Sequence, residues 1–467
     1  MTIKLSRKLN SLLIILGFGY LVVFSSPFTL GGRVVDSTKQ NNQSAQFILD
    51  NGLKVALYRQ GHLPLVHLVI GFNVGSKNEN PEISGLTHLL EHYLLFRTNQ
   101  KINNKDISLA IREKGGYYNA HTGRDLLLIE MTLPSENFLF ALQCVKQLAF
   151  NLDFNASTLE EEKQVILEEI GHLQDDPHRY GTSLTFQQLF RGHPYQQPIY
   201  GTPATLAKIT KDQIKEFYQR YFSPQNAALA AVGDINLNEA EEKVKQLFSS
   251  LTNPSPPSDS LPPVPARKEK SIITKEMDVN QAYLFLGFRG PDYNHDDQYT
   301  IDVLTEILGR GINPLLNQVV RGRRELAQSV SMNYTSLFYG GALIISLTLE
   351  PKKINQAEKE VIRFLKTLRR QNFSKEDFYG EAQIYVYDFL EQAKNQIFFR
   401  TYQAQENGLT LAQSLVRFLL LNRLKERGSY LEKIDKITSS DIRKVAGKYL
   451  SQGNYVAIKI IPFDKDK

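Results

Sequence analysis

Short runs in which apolar side chains alternate or cluster mark the strands of this chain. They fall at Gln46–Leu49, Val55–Tyr58 and Leu65–Phe72, and later at Leu126–Leu133 and Ala227–Val232. Between them the period lengthens. Leu86, Leu89, Leu90, Leu94 and Leu95 recur at helical spacing, and a second helical stretch covers Glu136–Asn151. The order is three strands, two helices, a strand, several helices and a closing strand. That order predicts an α+β sandwich, with a mixed, mostly antiparallel sheet and helices on one face, rather than a doubly wound fold.

The pattern occurs twice. Lys208, Ile209, Thr210, Ile214, Tyr221, Ser223 and Asn226 each recur at an offset of 228 residues, as Lys436, Ile437, Thr438, Ile442, Tyr449, Ser451 and Asn454. Both copies read as a Thr-capped helix followed by a strand, the second strand being Tyr455–Ile461. The strand and helix at 126–151 have a looser counterpart in the strand Ala342–Leu349 and a helix near Asn355–Gln371. Between the copies, residues 253–265 carry a dense run of prolines, which removes amide donors and favours an extended linker. The expected organisation is a leader at 1–44, a first domain at 45–252, a linker at 253–267 and a homologous second domain at 268–467, a tandem duplication.

Composition narrows the function classes. Apolar residues make up 42% and charged residues 22%, as in ordinary globular proteins. A net charge of +6 is small for 467 residues, and no basic-aromatic stripe accompanies it, which argues against a nucleic-acid ligand. The single cysteine, Cys144, excludes an intrachain disulfide and a thiolate metal cluster, and its apolar neighbours place it in a core. Lys4, Arg7 and Lys8 precede an apolar run from Leu12 to Phe24 that is shorter than the roughly 20 residues needed to span a bilayer. This start predicts export, with the segment either cleaved or kept as a membrane anchor, and the body periplasmic or otherwise extracytoplasmic.

The candidate chemistry sits on the leucine-rich helix, in His88-Leu-Leu-Glu91-His92. One helical turn separates the two histidines, so both imidazoles can point at one zinc ion. Glu91, beside them, can take a proton from a zinc-bound water. Zinc needs a third protein ligand, and the acidic helix beginning at Glu160 can supply one. Glu162 and Glu169 lie two turns apart on one stripe there, while Val165 and Ile166 are expected to face a core.

These motifs resemble the pitrilysin/insulinase family of zinc metallopeptidases, which pairs His-x-x-Glu-His with a later Glu-x-x-Val-x-x-x-Glu helix. Here Glu162, Val165 and Glu169 fit that helix, and Glu169 stands 77 residues after His92. The resemblance implies that His88, His92 and Glu169 bind zinc and that Glu91 is the general base. It implies that Glu162 orients a histidine, with Glu168 as the lesser candidate for third ligand. It also implies that the segment containing Asn119 and Ala120 is an edge strand onto which an extended peptide adds, and that Arg321 holds the substrate chain. The family's tyrosine seven residues after that arginine is Gln328 here. Some members of the family work as pairs in which one subunit carries the zinc motif and the other the arginine and tyrosine. The expectation is therefore a zinc endopeptidase of short or unfolded peptides, working as a homodimer or with an Arg/Tyr-bearing homologous subunit. A non-catalytic scaffold subunit of a membrane-associated complex is the alternative.

Overall fold

The computed structural model describes residues 43–463, apart from 97–100, 103–104, 153, 155, 253–260, 268, 312–313, 323–324, 371–372, 374–387 and 451–452. Residues 1–42 of the 1–44 leader, most of the proline-rich linker, and Arg323 and Arg324 therefore lie outside the described residues. Among the described residues no helix is long and apolar enough to cross a membrane.

The alternating segments of the first half pair into one six-stranded sheet. Its strands are β1 (Ser44–Ile48), β2 (Lys54–Arg59), β3 (Leu65–Phe72), β4 (Tyr117–Thr122), β5 (Leu127–Pro134) and β6 (Ala227–Gly233), in the spatial order β1-β2-β6-β3-β5-β4. Only β2 and β6 run parallel. The second half builds β7 (Ser271–Met277), β8 (Ala282–Gly290), β9 (Ser329–Leu337), β10 (Gly340–Leu349) and β11 (Val456–Pro462), in the order β9-β10-β8-β11-β7, again with one parallel pair, β7 and β11. Taken from its other edge, this sheet repeats β2-β6-β3-β5-β4 strand for strand. The register repeats too: Gly71 of β3 lies opposite Ala228, and Gly287 of β8 lies opposite Val456.

The helices of each half line one face of its sheet. In the first half these are α1 (Leu86–Phe96), α2 (Phe138–Phe150), α3 (Ala156–Asp175), α5 (Lys211–Tyr221) and α6 (Leu237–Phe248), packed on Val55, Leu57, Leu68, Ile70 and Ile129. In the second they include α7 (Asp297–Thr305), α8 (Ile354–Leu368), α9 (Phe389–Glu406) and α11 (Ser439–Tyr449). Thr210 and Thr438, the capping residues legible in the repeat, both close reciprocal capping boxes, at the starts of α5 and α11. Cys144 is fully buried in α2, and burial pushes its thiol up to about 12.

One feature was not legible in the repeat. The second face of each sheet is also apolar, and each is covered by a helix from the other half. Leu411, Leu415 and Val416 of α10 (Gly408–Leu420) cover Ala56, Val69 and Ala230 of the first sheet. Phe186 and Leu189 of α4 (Pro177–Leu189) cover Phe285, Ile344 and Ile458 of the second. Glycines permit the close approach. A Cβ on Gly71 would come within 2.5 Å of Val416, and one on Gly287 within 2.4 Å of Thr185. Stripping α10 away would expose Leu411, Leu415, Val416 and Leu420, at roughly 1.5–3 kcal/mol each. That loss is comparable with the whole stability of a domain, about 5–15 kcal/mol. The described chain accordingly clusters as one compact unit, Gln43–Lys467.

One detail of the acidic helix differs from expectation. Val165 is 39% exposed, because the buried stripe of α3 runs through Leu159, Glu162, Ile166 and Ile170 and leaves it to one side. Glu168, the lesser candidate for third ligand, is exposed. Helix exchange generates a testable expectation at Gly181 of α4, where a Cβ would lie 2.0 Å from the Phe285 ring. Ala is the better helix former by about 1 kcal/mol. Even so, Gly181→Ala is expected to lower stability by roughly 1–3 kcal/mol through overpacking, read as a reduced denaturation midpoint. An unchanged or raised midpoint would show that the helix is not packed against the second sheet.

Candidate metal centre

The helix α1 is fixed at its N-terminus by residues well before it. Glu79, fully buried, accepts from the backbone N–H of Gly85 at 2.8 Å and of Thr87 at 2.7 Å, satisfying donors that the first turn leaves free. Burial pushes its carboxyl up to about 7 against those hydrogen bonds. Gly85 has φ +94° and Gly201 φ +71°, and a Cβ on either would strike the backbone of the other's segment. That approach sets the Tyr200 ring 4.5 Å from the His88 ring, edge to face.

His88 and His92 project from α1 one turn apart, with ring centroids 4.8 Å apart. Helix α3 faces them. His88 Nε2 lies 3.6 Å from Glu169 Oε2, and His92 Nε2 lies 3.7 Å from Glu169 Oε1. These separations are too long for hydrogen bonds. They are near the ~3.4 Å expected between two donors each ~2 Å from one tetrahedral ion. The three donor atoms lie within 4.8 Å of one another, and this is the one such triad among the described residues.

The surroundings suit a zinc ion. On the other edge of the His92 ring, Nδ1 meets Glu162 Oε2 at 2.9 Å, so the ring donates there and turns Nε2 toward Glu169. Burial, with His92 nearby, pulls His88 down to about 4, leaving it a neutral imidazole. Burial acts in the same sense on His92, but the carboxylates of Glu162 and Glu169 outweigh it and raise that ring to about 9. Three buried polar atoms at this point have no hydrogen-bond partner: His88 Nδ1, Glu91 Oε2 and Glu169 Oε2. Two imidazoles, a carboxylate and orphaned buried oxygens are a donor set that fits zinc.

Glu91 is held beside the triad by Thr122, at the end of β4, and burial raises its carboxyl. Strand β4 is the outer edge of the first sheet, with Asn119 opposite Glu130 and Ala120 opposite Ile129 on its one paired side. It is tied to the motif helix by Tyr118, whose hydroxyl donates to the Leu95 carbonyl at 2.7 Å. Beyond β4, the buried carboxylate of Asp125 accepts from the Tyr195 hydroxyl and from the backbone N–H of Phe338, the latter at 3.0 Å. This clamps the β9–β10 hairpin of the second half against the end of β4.

Arg321 is not brought to this centre by the described chain. It is exposed on a π-turn, Gln318–Gly322, that packs against α8. Gln328 is also exposed, and its side-chain oxygen accepts from Gln281 at 2.6 Å. It precedes β9, whose other end reaches the clamp; nine residues of strand put it roughly 30 Å away. Glu79, Thr122 and Tyr200 were not legible as site residues, because no local spacing rule links them to the motif.

Comparison with known proteins agrees with this architecture. Residues 54–203 match the family model described as insulinase (peptidase family M16), and residues 208–385 match that of the peptidase M16 inactive domain. An uncharacterized zinc protease of Rickettsia bellii is 27% identical over 411 residues, covering 88% of this chain and 96% of that protein. Among solved structures, a protease from Helicobacter pylori superposes with a TM-score of 0.81 at 22% identity, covering 90% of this chain and all of that one (100%). A chain of complex III2 from Candida albicans shares the fold at a TM-score of 0.71 and 15% identity, covering 89% of this chain and 95% of that one. The chain belongs to the insulinase (M16) peptidase family, with relatives named as zinc proteases.

Proposed function

We propose that the chain is a zinc-dependent endopeptidase that hydrolyses short or unfolded peptides, with His88, His92 and Glu169 as ligands and Glu91 as general base. The observation that carries this reading is the closure of three donors on one point beside a buried glutamate oxygen that has no other partner. Bound there, zinc would act as a Lewis acid toward the peptide carbonyl and lower the pKa of a water. Glu91, whose carboxyl is raised by burial, is suited to take a proton from the attacking water and pass it to the leaving amine. Glu162 fixes the tautomer and angle of His92. The unpaired side of β4 offers backbone donors and acceptors to an extended peptide at Asn119 and Ala120, which would hold the scissile bond alongside Glu91.

The position of Gln328 supports a second chain as the source of the oxyanion contact. A homodimer or a heterodimer would each supply it, and Arg321 would then act in the partner's site.

Glu91→Gln is expected to keep one zinc per chain by elemental analysis, and to keep peptide binding, while turnover falls by about 10²–10⁴-fold. Turnover at the wild-type rate would sink the general-base assignment, and purified protein without near-stoichiometric zinc would favour a scaffold role. Glu162→Gln should weaken zinc affinity by roughly 10–100-fold in a chelator competition, with the fold intact by circular dichroism. Glu169→Ala should weaken it further, and full retention of zinc there would reject Glu169 as a ligand.

A further inference from the structure

Four side chains close a ring at the open edge of the metal centre. The Tyr200 ring lies 4.5 Å from that of His88. Arg179 Nη2 donates to the Tyr200 hydroxyl oxygen at 3.1 Å. Interaction with His92 is the first cause that holds the Glu169 carboxyl below its usual range against burial, and the charge of Arg179 adds to it. Glu169 in turn stands 3.6 Å from His88 Nε2. Of the three donor side chains Glu169 is the open one, 38% exposed against 8% for His88 and 4% for His92. The metal point is therefore reached past Glu169, where Arg179 is exposed and Tyr200 half-buried.

Backbone contacts hold both members of this pair in place. The turn carrying Tyr200 is fixed to the segment entering α1 by the approach of Gly85 to Gly201, and by Thr205 Oγ1, which donates to the Ser84 carbonyl at 2.7 Å. Arg179 lies in the first turn of α4, where Asp176 accepts from its backbone N–H at 3.1 Å. The rest of α4 is packed on the second sheet, so its start cannot drift from the metal centre.

The pair has hydrogen-bonding capacity left over. The Tyr200 oxygen accepts from Arg179, so its own proton is turned elsewhere, and no acceptor for it occurs among the described residues. Arg179 spends one of its several N–H groups on Tyr200, and no carboxylate stands within ion-pair reach of it among the described residues. In the open site water satisfies both. A peptide laid across the metal excludes that water, and a guanidinium stripped of water calls for a counter-ion.

Side chains alternate along β4. Ala120 packs with the leucines of the metal helix, while His121 lines a cavity of about 1010 Å³ behind the strand, between the two halves. A peptide added to β4 alternates in the same way, so only every second residue is presented on the metal side. We propose that Arg179 and Tyr200 form a side-chain subsite there, and that it selects a glutamate or aspartate flanking the scissile bond. Arg179 pairs with one carboxylate oxygen and Tyr200 donates to the other. The inference rests on the peptidase reading above and specifies its substrate.

The test uses the zinc-loaded, full-length Glu91→Gln chain and fluorescent peptides blocked at both ends, which differ only in carrying Glu, Gln or Lys at successive positions. Binding is read by anisotropy, and the bond cut by the wild type in the same peptides is read by mass. At one position flanking the cut, Glu should bind about three- to tenfold more tightly than Gln, between an exposed ion pair and a charge-assisted hydrogen bond. That ratio should shrink as salt is added. Arg179→Gln should abolish it, Arg179→Glu should turn the preference to Lys, and Tyr200→Phe should keep the part that comes from charge. Elemental analysis of each variant for zinc separates loss of the subsite from loss of the metal centre, and the salt series reads the subsite without altering Arg179 or Tyr200. Equal binding of Glu and Gln at every position, a preference remote from the cut, a ratio indifferent to salt, or one that survives Arg179→Gln would overturn the subsite. If those results come with normal cleavage, the peptidase reading stands without it. If no peptide is bound or cleaved, both fail.

Discussion

Each sheet of this protein has two apolar faces and one set of helices of its own. That mismatch is the constraint on which the rest depends. The uncovered face of the first sheet is closed by α10, and that of the second by α4, and the exchange is possible because Gly71 and Gly287 leave room for a helix. Two modules that could have been beads on a string are thereby forced into one body. The cavity behind β4 follows, since its walls come from both halves. So does the clamp of Asp125 on the β9–β10 hairpin, which needs the second half held close.

The metal centre is built on a similar economy of position. Helix α1 is almost entirely buried, so its two histidines cannot escape to solvent and must be satisfied by what faces them. What faces them is one stripe of α3, with Glu162 on the outer nitrogen of His92 and Glu169 across both Nε2 atoms. The same burial keeps His88 neutral and raises Glu91, so one physical cause prepares a ligand and a base in opposite directions. The anchoring of α1 by Glu79 shows that the motif alone does not place itself: the helix is aimed by a carboxylate outside it.

Much of this was legible in the sequence, for identifiable reasons. Strand alternation and the offset of 228 residues are local or periodic signals, and the elements they mark are present with ends shifted by a few residues. The motif histidines and the two glutamates lie at helical spacing, which sequence expresses directly. Val165 went wrong because a single residue beside a buried stripe differs from its neighbour by only 100° of rotation. Helix exchange depends on contacts between residues hundreds of positions apart, such as Gln413 with Glu130, and no local pattern encodes them. The remoteness of Gln328 from the clamp was hidden for the same reason, since seven residues after Arg321 says nothing about which end of β9 they occupy.

Helix exchange also bears on how such a chain can evolve. A break between the halves would leave each fragment with a bare apolar sheet face and a helix shaped for a partner it no longer carries. Neither fragment could be inherited, duplicated or fused as an independent module. The heritable unit is therefore the pair of halves together, and the repeat preserved in the sequence records an event that must have been followed by the mutual dependence now fixed in α4 and α10.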